Sequence, residues 1–159
     1  METTNDSIWR FAKVLSSNDL GLTGSHQAGV LLPRRSPIHK FLPQLDESTP
    51  NPSSNLELWS PQRELSVLTR YVYYNSKPLG TGTRNEYRLT RLTSFFRQLN
   101  PRPGSCLVFL FKGAPLGGQA LELGSNQPEF PQVLIELRDI AEPSDDQWTI
   151  EEIPFDKEL

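Results

Sequence analysis

The chain of 159 residues is long enough for one domain with a sizeable core, and its 36% hydrophobic content lies well above that of a disordered chain. Its 14 prolines argue against a helical bundle, and its single cysteine excludes an intrachain disulfide and a cysteine-rich zinc site. The formal net charge of −3 argues against non-specific coating of DNA.

Short strands and one unusual loop are predicted for the start of the chain. Residues 1–7 are polar and expected to fray, and residues 8–15 alternate imperfectly between apolar and polar side chains, which predicts a strand. The segment 16–29, SSNDLGLTGSHQAG, has three glycines and little to bury, which indicates a binding loop, with an ordinary surface loop as the alternative. Residues 30–32 are short and apolar, and Pro33 ends them.

A short helix and two strands are predicted next. Ser36 can cap a helix that begins with Pro37, because serine accepts from free backbone amides and proline suits the first helical position. Residues 46–55 predict a loop, residues 56–59 alternate as a strand does, and residues 64–74 predict a long strand.

The segment 70–97 stands out by its charge. It carries six basic residues and one acidic residue, a formal charge of +5, whereas residues 121–159 carry −9. A loop with Gly80 and Gly82 leads to a second predicted strand at 87–92. Glycine allows close backbone approach, and arginine forks onto phosphates or guanine edges, so this segment suits a polyanion. The alternative is a solvated, arginine-rich hairpin without a ligand.

The remainder of the chain predicts a helix and further strands. Residues 93–99 predict a short helix with Phe95, Phe96 and Leu99 inward. The continuous apolar run 105–112 predicts the central strand, with a buried Cys106. Three more strands are expected at 119–123, 132–138 and 148–153.

Taken together, the elements predict one domain over residues 1–159, with a frayed end at 154–159. Short strands separated by turns are typical of an all-β barrel or sandwich, here with one or two small helices. The sequence has no signal peptide and no apolar run of about 18 residues, so the protein is expected to be soluble and intracellular.

No catalytic centre is predicted. The two histidines, His26 and His39, form a poor metal set, and Asp19 with His26 lacks a serine in a nucleophile-elbow context. The glycine-rich run 80–83 is not followed by the lysine and the serine or threonine of a phosphate loop.

Two separated stretches carry a family resemblance. SSNDLGLTGSHQAG at 16–29 and YYNSKPLGTGTRNEYRLTR at 73–91 resemble the N-terminal effector-binding domain of EcoRII-type restriction endonucleases. The segment IHKFLPQLDESTPNPS at 38–53 fits between them in order and spacing. The resemblance covers roughly residues 10–140.

The resemblance implies a mainly β, B3-like DNA-binding pseudobarrel with one or two short helices. Its two arms, here residues 16–29 (the first arm) and 80–91 (the second arm), would embrace duplex DNA in the major groove. It further implies an effector domain of a type II, IIE-like restriction endonuclease that reads 5′-CCWGG, where W is A or T. A separate nuclease domain of the same polypeptide would lie outside this chain and would alone need magnesium. The protein would act in a prokaryotic cytoplasm.

The resemblance also implies which residues contact DNA. The family's important histidine maps to His26, and its Arg-Asn-Glu-x-Arg run maps to Arg84, Asn85, Glu86 and Arg88. The two arginines can donate to guanine O6 and N7, and the glutamate can accept from cytosine N4 or orient an arginine. The other predicted contacts are Asn18, Asp19, Thr23, Ser25 and Gln27 in the first arm, then Tyr87, and Lys77 and Arg91 as phosphate contacts.

The second arm departs from the family pattern. The run before Arg84 is one residue longer, Gly82 stands where a lysine is expected, and Tyr87 replaces another lysine. Two positive charges are therefore missing, which predicts a weaker attraction to phosphates and a shallower salt dependence of binding.

Two alternatives from other classes remain open at this point. One is a β-barrel protein-interaction module whose basic hairpin grips an acidic partner. The other is a single-strand nucleic-acid binder that uses tyrosines as stacking platforms. Those tyrosines would be Tyr71, Tyr73, Tyr74 and Tyr87. Tyr71 and Tyr73 share one face of a predicted strand, which favours packing in the core over stacking on bases.

Overall fold

A computed structural model of the protein describes residues 7–23, 29–112, 132–138 and 151–154. The strands are β1 (Ser7–Val14), β2 (Val30–Leu32), β3 (Ser53–Ser60), β4 (Leu65–Tyr74), β5 (Glu86–Thr90), β6 (Cys106–Lys112), β7 (Gln132–Arg138) and β8 (Glu151–Pro154). A 3-10 helix spans Pro37–Lys40, and one α-helix, α1, spans Thr93–Leu99. No helix in these ranges is both long and apolar enough to cross a membrane.

All eight strands belong to one sheet in the order β2-β5-β4-β3-β7-β6-β1-β8. Adjacent strands are antiparallel except β3 and β7, which run parallel. Among the described strands, β2 and β8 form the two ends of the sheet. β6, predicted as the central strand, has a partner on each side, but β3 and β7 occupy the middle of the order.

The sheet curls around the segment that contains the 3-10 helix. The His39 ring lies 4.2 Å from that of Tyr87 in β5, whereas the ring of Phe41 lies 5.2 Å from that of Phe11 in β1. β5 and β1 stand five positions apart in the order, which would be about 24 Å in a flat sheet at ~4.8 Å per strand. One short segment can contact both strands only if the sheet bends around it. The curled sheet forms a half-barrel, and the prediction of a mainly β fold with one or two short helices is confirmed.

The local sequence signals mostly gave the correct elements. Ser36 Oγ accepts from the Ile38 amide at 3.3 Å, with Pro37 in the first turn, but the helix is a single 3-10 turn rather than a longer helix. The predicted loop 46–55 is shorter than expected because its last three residues pair with β4 as the start of β3. Cys106 is buried, as predicted.

Some predicted elements cannot be compared with the structure. The strand expected at 119–123 lies outside the described residues, as do residues 1–6 and 155–159, which were expected to fray. The strand expected at 148–153 overlaps β8 only from residue 151 onward.

Candidate nucleic-acid interface

The loop between β4 and β5 is tied together at its base. The Lys77 amide donates to the Arg84 carbonyl at 2.8 Å, and the Arg84 amide donates to Ser76 Oγ at 3.0 Å. The Gly82 amide donates to the Ser76 carbonyl at 3.1 Å. A Cβ on Gly82 would lie 2.7 Å from Ser76 Oγ, so a larger residue there would have to displace this hydroxyl. Ser76, which the sequence analysis did not single out, therefore fixes the position of Arg84.

Glu86 joins two arginines at the start of β5. Its Oε1 accepts from Arg84 Nε and from Arg88 Nε, each at 3.1 Å, and its Oε2 accepts from Arg88 Nη2 at 3.4 Å. Burial alone would raise the pKa of Glu86, but hydrogen bonds and charges from Arg88 and Arg84 outweigh it and hold the pKa below its ordinary value. The carboxylate is therefore ionised at neutral pH and orients both guanidinium groups.

Arg84 and Arg88 differ in what they leave accessible. The Arg84 side chain is 36% exposed, and its guanidinium lies 3.6 Å from the centre of the Tyr74 ring. Its bonds to Glu86 use Nε and Nη2, so the end of the fork at Nη1 can still meet a ligand. The Arg88 side chain is only 3% exposed, and its Nη1 donates to the Gly29 carbonyl at 3.2 Å. Arg88 thus joins the end of the first arm to β5.

Arg84 lies in an open depression of about 540 Å³ at one end of β2, β5 and β4. The described residues that line this basic depression include three cations and one carboxylate, a formal charge of +2. It brings together four of the predicted contact residues and adds Arg34, which the sequence analysis missed. Its lining residues are Arg34, Lys77, Thr83, Arg84, Asn85 and Glu86.

Arg91 lies apart from this depression, beyond the other end of β5. With Arg97 it lines a second cleft of about 400 Å³ between the first arm and α1. The cleft has Leu20, Leu92 and Phe96 among its apolar lining residues. The predicted contacts of the second arm are therefore divided between the two ends of one strand.

Tyr87 is packed within a group of rings. Its ring lies 4.2 Å from that of Tyr73, nearly parallel at 8°, and its hydroxyl donates to Glu47 Oε1 at 2.8 Å. The Tyr73 hydroxyl in turn donates to Asn85 Oδ1 at 2.6 Å. Tyr71 and Tyr73 are buried, and the Tyr74 ring carries Arg84. This packing does not favour the tyrosines as stacking platforms for single-stranded nucleic acid.

His39 supports the same group of rings. Its Nε2 lies 2.8 Å from the Pro33 carbonyl, which can only accept, so Nε2 carries the proton. Its Nδ1, 2.8 Å from the Tyr71 hydroxyl, then accepts from it. Burial is the main cause that lowers the pKa of His39, which favours the neutral ring. Within the described ranges, no group of three or more His, Cys, Asp or Glu residues is placed to hold a metal ion.

The first arm is described from residue 16 to residue 23, where Asp19 organises it. Asp19 Oδ2 accepts from the Ser16 amide at 2.9 Å, and its Oδ1 accepts from the Leu31 amide at 3.1 Å. Lys13 Nζ lies 3.6 Å from Oδ2, and Asp19 is only 3% exposed. This carboxylate connects the arm to β2, so a contact with DNA would have to compete with these bonds.

The other first-arm residues fall into two groups. Asn18 Oδ1 accepts from the hydroxyl of Thr23 at 3.1 Å on the exposed surface of the arm. Ser25, His26 and Gln27, also predicted to contact DNA, lie outside the described residues.

The comparisons with known proteins agree with the motifs of the sequence. Residues 4–122 match a family model described as restriction endonuclease EcoRII, N-terminal. The type II restriction enzyme EcoRII of Escherichia coli is 32% identical over 127 residues, which are 77% of this chain and 31% of that enzyme. The chain thus spans about a third of the length of this relative. The B3 domain of the UbaLAI restriction endonuclease, crystallised with cognate DNA, is 22% identical with a TM-score of 0.45, covering 82% of this chain and 87% of that domain.

Proposed function

The chain belongs to the family of the EcoRII restriction endonuclease N-terminal domain, and on that premise we propose that it binds double-stranded DNA sequence-specifically without catalysis of its own. The observation that carries this proposal is Arg84, a half-exposed guanidinium held by Glu86 and Tyr74 in a depression of charge +2. A preoriented guanidinium loses little conformational freedom when it meets a guanine edge.

Arg84 is assigned the contact with a base, and Arg88 is assigned the positioning of Arg84 and of the first arm. The free end of the Arg84 fork can donate to guanine O6 and N7, the commonest specific contact of proteins with the major groove. Arg88 is buried and already donates to Glu86 and to Gly29, so it positions the reader and the first arm. Asn85 lies beside Arg84 in the basic depression and offers an amide to a base edge or a phosphate.

The proposed target is 5′-CCWGG, whose guanines suit the Arg84 fork. In the full-length protein this domain, taken as residues 1–159, would act as an effector module of a type II, IIE-like restriction endonuclease in a bacterial cytoplasm. It would control a nuclease domain of the same polypeptide, and only that domain would require magnesium. The first arm would complete recognition through Asn18 and Thr23, together with Ser25, His26 and Gln27.

Fluorescence anisotropy tests this proposal directly. The chain is titrated onto a short labelled duplex with one CCWGG site and onto a scrambled duplex of equal composition, at ~100 mM salt, where exposed charges are partly screened. A preference of about a thousandfold is expected, because specific readers reach at least this ratio. Equal weak binding to both duplexes would refute the target. Binding to neither, with tight binding to an acidic protein, would favour a protein-interaction module.

A further inference from the structure

We propose that Arg34 contacts a phosphate of the DNA backbone, beside the base contact assigned to Arg84. Neither the sequence motifs nor the family resemblance singles out Arg34, and the inference rests on the proposed DNA-binding function. Arg34 lies two residues beyond Leu32, which pairs with Tyr87 at the end of the β2 and β5 ladder. Continuing that antiparallel register places Arg34 level with Asn85.

The basic depression brings Arg34 into the same site as Lys77 and Arg84. Lys77 follows β4, Arg84 precedes β5, and Arg34 follows β2, and these three strands are neighbours in the sheet. The hydrogen bond from the Lys77 amide to the Arg84 carbonyl holds the backbones of these two residues next to each other. Three chain segments that are distant in the sequence therefore each present one cation to a single concave surface.

The charges of the depression favour binding of an anion from outside. Its one carboxylate, Glu86, is occupied by Arg84 and Arg88. Within the described part of the chain, no hydrogen bond or ion pair engages the side chains of Arg34 or Lys77. Like charges on one concave surface repel each other, so binding of an anion there relieves repulsion as well as forming new contacts.

A phosphate is the anion that DNA offers beside a base contact. Arg34 lies on an edge segment outside β5, whereas Arg84 starts β5 and is oriented by Glu86 and Tyr74. Among the described residues, no hydrogen bond or ion pair holds the Arg34 guanidinium in one orientation. Such a cation suits a phosphate, which takes donors from many directions, better than a base edge. The geometry therefore assigns the attraction of a DNA phosphate to Arg34 and the discrimination between bases to Arg84.

The experiment compares Arg34→Ala with Arg35→Ala. Both arginines are exposed and adjacent, and both changes remove one charge, but only Arg34 lines the depression. Anisotropy is measured on the CCWGG duplex and on the scrambled duplex between about 50 and 200 mM salt. Arg34→Ala should lower the slope of log K against log salt by about 0.9, the value for one phosphate. At about 100 mM salt this corresponds to a loss of roughly eightfold on both duplexes.

Two controls complete the design. Arg34→Lys should keep most of the slope, because a phosphate contact needs charge rather than a planar fork. Far-UV circular dichroism and thermal melts confirm that the variants are folded. Equal slopes for Arg34→Ala and Arg35→Ala would overturn the inference. A loss confined to the CCWGG duplex, or a loss with Arg34→Lys as large as with Arg34→Ala, would also overturn it by indicating a base contact. If the unaltered chain binds neither duplex, the proposed function itself has failed.

Discussion

At the scale of single residues, one carboxylate determines how two arginines can act. Glu86 accepts from both Arg84 and Arg88, but only Arg84 keeps a solvent-accessible fork. The sequence alone does not distinguish the two arginines, because both belong to the short run at 84–88. Their different burial follows from strand pairing, in which Arg88 lies between Val72 of β4 and Leu31 of β2.

This difference predicts opposite phenotypes for two alanine variants. Arg84→Ala should cost about 1–3 kcal/mol of binding to the specific duplex, relax its specificity, and leave folding stability nearly unchanged. Arg88→Ala should instead lower the free energy of unfolding by about 1–3 kcal/mol, because it removes the donors from Arg88 to the Gly29 carbonyl and to Glu86 Oε2. Urea unfolding and anisotropy separate the two effects, with Arg63→Ala in an exposed turn as the control. Equal losses of Arg84→Ala on specific and scrambled DNA would contradict its role as a base reader.

Glu86 should also leave a signature in the pH dependence of stability. Its pKa is lowered on folding, so its contribution is present above the ordinary value of 4.5 and is lost as the pH falls through the folded pKa. Glu86→Gln should flatten the fall of the free energy of unfolding below about pH 4.5. Urea unfolding between about pH 3 and pH 6 measures this difference. Parallel curves for the two proteins would mean that Glu86 is not coupled to its arginines.

At the scale of elements, the second arm depends on a contact within its own loop. Ser76 Oγ accepts a hydrogen bond from the Arg84 amide. A Cβ on Gly82 would lie 2.7 Å from the same oxygen. The positive charge of this loop was evident from the sequence, as was the need for glycine. The specific reason for Gly82 was not, because it depends on how the loop folds back on Ser76.

Gly82→Ala should therefore displace Ser76 and the Arg84 backbone. We expect about a tenfold weaker binding to the specific duplex, equivalent to ~1.4 kcal/mol. The thermal midpoint should change little, since the loop is exposed. Leu79→Ala, an exposed residue of the same loop that does not line the basic depression, serves as the control for loop composition. If both variants bind as the parent does, the loop is not held by the Ser76 contact.

Most element types followed from local patterns, but their arrangement did not. Alternation predicted β3 and β4, and the α-helix at Thr93–Leu99 was predicted at the observed bounds. Asp19 has a structural role that the sequence did not indicate. A polar residue in a glycine-rich loop predicts a ligand contact, and this carboxylate also accepts from backbone amides of the chain itself. Which strand meets which depends on long-range pairing that periodicity does not encode. The basic depression, built from three such strands, could not be assembled from the sequence.

At the scale of the whole molecule, the segment after β2 holds the half-barrel together. His39 and Phe41 contact opposite sides of the curled sheet from a single turn. His39 also bonds the Pro33 carbonyl and the Tyr71 hydroxyl. A change in the charge of His39 therefore acts directly on Tyr71 of β4 and Tyr87 of β5.

The neutral state of His39 predicts that the fold weakens in mild acid. Its pKa is lowered on folding, so the stability it contributes is present above 6.5 and is lost as the pH falls through the folded pKa. His39→Gln should be less stable at neutral pH but should show a flatter pH dependence below 6.5. His26→Gln, which changes the other histidine of the chain, is the control. A parent protein whose unfolding free energy stays constant through this range would contradict the prediction.

The bond from Arg88 to the Gly29 carbonyl has a consequence for protein engineering. Exchanging arms between relatives is an obvious route to new target sites, with each arm treated as an independent cassette. Here the end of the first arm is seated on β5, and a Cβ on Gly29 would lie 2.5 Å from the Leu89 carbonyl. A transplanted first arm would need this glycine at its end and the matching arginine in the recipient strand. The first arm should therefore be transferred together with Gly29 and with the arginine of β5 that binds its carbonyl.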